Sequence, residues 1–348
     1  MAMPKTALIT GISGQDGAYL SRLLLQKGYR VVGAVRRTAA PRMSRLMELG
    51  IENDIEPVEL DLTEITNVMR AIERTRPDEI YNLAAQSFVA VSFEQPILTA
   101  EVGALGNARL LEAIRTVDPK IRLYQASSSE MFGKVADHTK LQNENSPFHP
   151  RRPYGVSKLF AHWLTVNYRE SYGFFAASGI LFNHESPLRG REFVTRKITS
   201  SLAEVKHGRR EILSLGNLEA QRDWGFAGDY VDGVWRMLQQ PAADDYVLAT
   251  GTTTSVRGFC ELAAERLGFT IEWKGKGDGE TGIDRKSGKT IIRIDPRYFR
   301  PAEVDFLLGD ATKARRELGW SPTTTLADLV TMMVEADDRR VRENRLLY

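Results

Sequence analysis

Short apolar runs alternate with stretches of helical periodicity through residues 6–183, and that rhythm limits the fold more than any other feature of the chain. Residues 6–10 form an apolar run that ends in glycines, and residues 18–26 place leucines at helical spacing, with Gly28 as the stop. The order repeats: strands are expected at 29–35, 57–60, 79–84 and 121–126, with helices at 65–74 and 104–117. Pro153 can open a long helix to residue 172, because proline is tolerated in the first turn, and residues 174–183 return as a buried strand. Strands and helices in this alternation predict a parallel sheet covered by helices on both faces.

Beyond residue 183 the alternation gives way to polar loops, short strands and separate helices at 193–206, 229–239 and 256–266. The expected fold is α/β, a Rossmann-type doubly wound parallel sheet with a smaller C-terminal α/β substrate domain. Residues 1–182, rejoined by 223–254, are assigned to the first domain, and 183–222 with 255–348 to the second. A chain of 348 residues has the length for about two domains. Four glycines within 275–282 point to a mobile surface loop or a lid, and the charged run 335–345 reads as a solvated helix face.

Charge and cysteine content narrow the setting. With 47 Lys and Arg against 45 Asp and Glu, the net charge of +2 supplies no global attraction to nucleic acid or membrane. The single cysteine, Cys260, excludes an intrachain disulfide, and residues 1–10 lack the charged head and apolar core of a signal peptide. No apolar stretch approaches the roughly 20 residues that span a bilayer. A cytoplasmic protein with neither nucleic-acid nor membrane partner is expected.

Between the first strand and the first helix lies Gly11-x-x-Gly14-x-x-Gly17. Gly11 permits a tight turn, Gly14 lets backbone approach a pyrophosphate, and Gly17 lets the helix pack close to the sheet with its positive end toward the phosphates. Gly11, Ile12, Ser13, Gly14, Gln15, Asp16 and Gly17 are therefore expected around a dinucleotide. An acid at the end of the second strand would bind a ribose hydroxyl, whereas Arg36 and Arg37 stand there with no carboxylate beside them. Guanidinium matches phosphate geometry, so NADP is favoured over NAD. Asp61 and Leu62 follow the third strand and suit the adenine, and Leu83, Ala84, Ala85, Gln86 and Ser87 would let a nicotinamide ribose lie close.

The chemistry is carried by Ser127-Ser128-Ser129-Glu130 and by Tyr154-x-x-x-Lys158. Lys158 falls one turn after Tyr154, so both leave the same helix face. A tyrosine with a pKa near 10 is a poor base, but a nearby ammonium and a positive nicotinamide would favour its phenolate. Tyr154 can then take a hydroxyl proton as a hydride leaves, with Ser128 holding the substrate oxygen. Glu130 separates dehydration from plain reduction, because elimination needs a base for the carbon beside the new carbonyl and an acid for the departing hydroxyl. One carboxyl group can fill both roles.

The glycine turn, the Ser128, Tyr154 and Lys158 set and the chain length resemble the extended short-chain dehydrogenase/reductases. Residues 8–17, 81–87, 125–133, 179–197, 215–225 and 296–309 resemble the GDP-mannose 4,6-dehydratase family within them. The most specific strings are Asn183-His184-Glu185-Ser186-Pro187 and Arg222-Asp223-Trp224-Gly225. The resemblance implies catalysis by Ser128, Glu130, Tyr154 and Lys158. It implies that NADP takes a hydride from C4 of GDP-mannose, that Glu130 drives loss of water across C5 and C6, and that the hydride returns to C6. It further implies that His184 and Arg189 contact NADP, that Asn183, Lys197, Arg222 and Arg300 hold the GDP diphosphate with Glu303 near its ribose, and that Ser87 and Ser129 touch the substrate. A homodimer or homotetramer is the implied assembly. The family usually has threonine where Ser128 stands. A related GDP-heptose substrate, or reduction of a GDP-4-keto-6-deoxy sugar, stays open on the sequence alone.

Overall fold

Seven strands, all parallel, form the central sheet in the order Asp245–Leu248, Ala176–Leu181, Arg122–Ser128, Glu79–Asn82, Thr6–Thr10, Arg30–Val35 and Glu56–Glu59. The computed structural model describes residues 4–37, 43–134, 141–298 and 306–345. All five residues of Thr6–Thr10 are buried, and neighbours face opposite layers: Leu8 packs with Val68, Ile72, Leu110 and Ile114, and Ile9 with Leu20, Leu24, Tyr230 and Val234. Helices therefore cover both faces, as the alternation predicts. The strand order reverses at Thr6–Thr10 and Glu79–Asn82, which opens a crevice at their carboxyl ends, where α/β sheets of this topology bind ligands.

Boundaries follow local chemistry closely. The helix over Pro153–Tyr172 has Pro153 in its first turn and ends at Gly173 in the left-handed region. The helix expected from residue 104 runs instead over Gly106–Val117, preceded by a π turn at Glu101–Leu105 and by helices Val89–Glu94 and Pro96–Ala100. The expected strand 174–183 ends at Leu181. Asn183–Glu185 then leaves the large sheet and pairs in parallel with Trp224–Phe226.

A second core holds Ile198 and Leu202 of helix Val194–Lys206, Phe259 of helix Val256–Arg266, and Leu329 and Met333 of helix Leu326–Arg342. They pack on a four-stranded sheet ordered Ile271–Lys274, Thr281–Asp284, Thr290–Ile294 and Leu213–Leu215. Two expectations hold only in part. Residues 275–280 of the glycine-rich segment are the largely exposed surface turn joining Ile271–Lys274 to the antiparallel Thr281–Asp284, but Thr281 and Gly282 lie in a strand, and none of 275–289 lines the large cavity described below. The charged run 335–345 is solvated on one side only: Glu335, Arg339 and 342–345 are exposed, whereas its other side is buried. Asp337 and Arg340 are 1% and 4% exposed, and Asp337 accepts from Arg196 at 2.8 Å, from Arg340 at 2.8 Å and from Thr199 at 2.7 Å. Charges buried in this way persist because they are paired. Among the described residues no helix is long and apolar enough to cross a membrane.

Candidate active site

The crevice at the sheet's carboxyl edge continues toward the second core as one cavity of about 1500 Å³. That exceeds the 300–1,000 Å³ typical of single-ligand pockets. The volume suits two ligands of nucleotide size meeting end to end.

At one end, Gly11 takes φ +71°, and a Cβ there would lie 2.9 Å from the Ala84 nitrogen. The turn closes with Gly14 N donating to Gly11 O at 2.9 Å. Gly14 begins helix Gln15–Gln26 without any side-chain cap, which leaves backbone N–H groups facing the cavity. Thr10 Oγ1 donates to Asn82 Oδ1 at 2.7 Å and accepts from Leu83 N and Ala84 N, each at 3.1 Å, so the residues after two strands are locked together. Gly11, Ser13, Gly14, Gln15, Asp16, Gly17, Leu83, Ala84, Ala85, Gln86 and Ser87 all line the wall. Ile12 does not; its side chain is buried in the core beneath Gly33.

Arg36 lines the same end with Asp61 and Leu62; Arg37, exposed like Arg36, lies off the cavity. The expectation that no carboxylate stands near these arginines is corrected. Burial alone would raise the Asp61 pKa, yet hydrogen bonds from Thr63 and the charge of Arg36 lower it, so Arg36 and Asp61 share one field. Asp61 is 25 positions from Arg36 in sequence, and only the packing of adjacent parallel strands brings the two together.

Asp16 is tied into the site from several sides. His184 Nε2 lies 2.8 Å from its Oδ2, Gln15 Nε2 donates to its Oδ1 at 3.1 Å, and His184 Nδ1 donates to Phe182 O at 2.7 Å. Against burial, which would raise it, the charges of His184 and Arg189 hold Asp16 down to about 2, and burial of His184 is in turn outweighed by Asp16, which raises the imidazole. Ser186 Oγ donates to Gln15 Oε1 at 2.7 Å, which fastens the 183–189 segment to the glycine helix.

The reacting groups sit midway. Ser128, Ser129, Glu130, Tyr154 and Lys158 line the cavity together, from the end of strand Arg122–Ser128 and the start of helix Pro153–Tyr172. Lys158 Nζ donates to Ala126 O at 2.7 Å and lies 5.8 Å from the Tyr154 ring centroid. Burial pushes Lys158 down to about 8, with Asp16 opposing. Burial also pushes the Tyr154 phenol up to about 12, aided by the Glu130 charge, and the Ser128 hydroxyl and Arg189 recover only part of that. Desolvation thus disfavours the phenolate in the protein by itself, and this is the cost that the expected help from Lys158 and a positive nicotinamide has to overcome. Only a further positive charge in the cavity can bring this phenol into range as a base.

The far end is cationic. Asn183, Lys197 and Arg222 line it, with Arg191, Arg210, Arg297 and Tyr298, four residues that sequence reasoning missed, while Arg189 lies between the two ends, near enough for its charge to act on Asp16 and Tyr154. Lys197 Nζ lies 3.1 Å from the Tyr298 ring centroid, and burial lowers its pKa to about 8, with Asp295 opposing and Arg210 assisting. Arg300 and Glu303 fall outside the described residues. No local signal marks Arg191 or Arg210. They are drawn in by pairing with Glu204 on the helix they flank.

A family model described as GDP-mannose 4,6 dehydratase matches residues 8–333. A GDP-mannose 4,6-dehydratase of Sinorhizobium fredii (strain HH103) is 53% identical over 348 residues, covering 98% of this chain and 99% of that one. Among solved structures, the dTDP-glucose 4,6-dehydratase DesIV of Streptomyces venezuelae, with NAD and TYD bound, matches with a TM-score of 0.81 at 22% identity, covering 98% of each chain. RMD of Pseudomonas aeruginosa, complexed with NADPH, matches at 0.76 and 23%, covering 97% of this chain and 100% of that one. At these identities the two structures speak for the fold, and the near full-length sequence matches for the family: the chain belongs to the GDP-mannose 4,6-dehydratases, hydro-lyases on the short-chain dehydrogenase/reductase fold.

Proposed function

We propose that the protein converts GDP-mannose to GDP-4-keto-6-deoxymannose and water, with NADP held in the glycine end of the cavity and the GDP diphosphate in the cationic end. The observation that carries this reading is Glu130, a carboxylate on the same cavity wall as Tyr154 and Ser128 with its side chain only 15% exposed. A plain reductase has no use for it there. The residues fit the cofactor: the uncapped helix start and the Gly11 turn suit a pyrophosphate, and Arg36 suits a 2′-phosphate, as no acid follows the second strand directly.

When bound, NADP supplies a positively charged hydride acceptor beside C4 and a hydride donor at C6. Tyr154 takes the C4 hydroxyl proton, with Ser128 fixing that oxygen and Lys158 supporting the phenolate. The resulting ketone acidifies C5–H, Glu130 removes that proton, and the C6 hydroxyl departs with a proton from the same carboxyl group. Tyr154's proton balances the one C5 regains. Lys197 and Arg222 offer the charge-assisted contacts that a diphosphate requires, and Arg189, whose charge acts on Asp16 and Tyr154, stands on the cofactor side. Incubation with GDP-mannose should yield a 4-keto-6-deoxy product without net NADPH. Absence of product would end this reading.

We read residues 1–182 with 223–254 as the cofactor domain, and 183–222 with 255–348 as the GDP-sugar domain; the second core supports this for 198–220, 256–294 and 329–341, whereas Ala311, Leu318 and Trp320 pack in the first core with Tyr230, and Trp224 packs in the second. A cytoplasmic homodimer is the proposed state. Its support is an apolar face in which Ile97 is 75% exposed, Val156 55%, Phe160 47% and Trp163 55%, a clustering of exposed apolar side chains that marks interaction surfaces.

A further inference from the structure

Arg152 belongs to no part of the chemistry described so far, yet it is among the largest fully buried side chains and lines the cavity. Its Nη1 donates to both carboxylate oxygens of Glu130, each at 3.0 Å. We propose that Arg152 is a positioning residue for the elimination step, holding the Glu130 carboxylate at one place and angle on the cavity wall. The inference rests on the reading of Glu130 as the proton carrier.

The local backbone makes this placement a consequence of the sequence. Pro153 disfavours helical geometry at the residue before it, and Arg152 accordingly takes φ −136° and ψ 147° as the helix N-cap. The chain thus turns between residues 152 and 154, sending Arg152 behind the carboxylate while Tyr154 enters the cavity. Glu130 is fixed from the other side. It sits in the one-turn 3₁₀ segment Ser129–Met131, its N–H donates to Ser128 Oγ at 3.2 Å, and its carbonyl lies where a Cβ on Gly155 would come within 2.7 Å. A single dipeptide step therefore sets the geometry of carboxylate and phenol relative to each other. One nitrogen meets both carboxylate oxygens equally, and burial of the arginine to 2% exposure fixes where that donor stands.

The step that depends on this geometry breaks C5–H and C6–O and forms the C5–C6 double bond. The C5 proton passes to Glu130 and from there to the departing oxygen, so water leaves and the carboxylate is regenerated. Oxidation at C4 uses Tyr154, Ser128 and Lys158 and does not require the Glu130 orientation. Loss of Arg152 should therefore slow elimination selectively, leaving C4 oxidation ahead of it.

The test compares Arg152→Met, Arg152→Lys, Glu130→Gln and the Arg152→Met/Glu130→Gln pair, each loaded with NADP and mixed with GDP-mannose. Arg152→Met should lose about a hundredfold in kcat, the scale of a misplacement near 1 Å, with KM little changed. Reduced-nicotinamide absorbance, transient in the wild type, should accumulate. Arg152→Lys should recover part of kcat, and the double variant should be no slower than Glu130→Gln alone, because the arginine acts through the carboxylate. Should Arg152→Met not fold, Arg152→Lys carries the test through a kcat loss with the same accumulation. Wild-type kcat in Arg152→Met or Arg152→Lys, or oxidation and elimination falling in equal proportion, would overturn the proposal. A wild type that makes no 4-keto-6-deoxy product would instead overturn the underlying assignment of Glu130.

Discussion

Lys158 is held where its charge is least welcome, and replacing it should show by how much. The ammonium is buried, it donates to Ala126 O at 2.7 Å, and burial lowers its pKa from 10.5 to about 8. At about 1.4 kcal/mol per pKa unit, keeping it protonated at pH 7 costs the folded protein roughly 3 kcal/mol relative to the unfolded chain. Lys158→Met removes that penalty and leaves the Ala126 carbonyl short of a donor, worth about 1–3 kcal/mol. The cofactor-free variant should then be catalytically dead and equal to or about 1–2 kcal/mol more stable than wild type at pH 7. The pH dependence is the sharper readout. Because the folded pKa is depressed, the unfolded chain binds more protons between pH 8 and 10.5, so wild-type stability rises through that window relative to Lys158→Met. Urea unfolding of both proteins at pH 7 and pH 10 should show the gap shift by about 2–3 kcal/mol in favour of wild type. A gap that is the same at both pH values would refute the reasoning.

Glu130→Gln keeps the shape of the side chain but cannot carry the C5 proton; product formation should fall by about 10²–10⁴-fold while C4 oxidation survives, as followed by stopped-flow absorbance. Asp337→Ala deprives the buried Arg196 and Arg340 of the carboxylate they share and should lower stability by about 3–5 kcal/mol in chemical denaturation. Phe160→Glu places a charge in the exposed apolar face and should shift sedimentation toward a monomer while far-UV circular dichroism stays unchanged.

Much of this was legible in the chain wherever the signal was local. A proline in the first turn and a glycine at the end delimit Pro153–Tyr172, and three glycines between a strand and a helix mark the phosphate end. Tyr154 and Lys158 share a face through helical spacing alone. What stayed hidden depends on partners far apart in sequence. The run 335–345 looks wholly solvated until Arg196, 141 positions from Asp337, is placed against it, and Arg36 looks unopposed until strand packing brings Asp61 near. Helices Val89–Glu94 and Pro96–Ala100 are short and carry exposed apolar residues, so no amphipathic stripe announces them. Arg152 was in plain view beside Pro153, but its role needs the position of Glu130, 22 residues earlier.

The most direct measurement supplies GDP-mannose with deuterium at C4 and locates the label in the product by NMR and mass spectrometry. Oxidation and return of the same hydride within one cavity predict deuterium at C6 with none lost to solvent. Product lacking the label at C6, or label appearing in free NADPH, would contradict a self-contained dehydration.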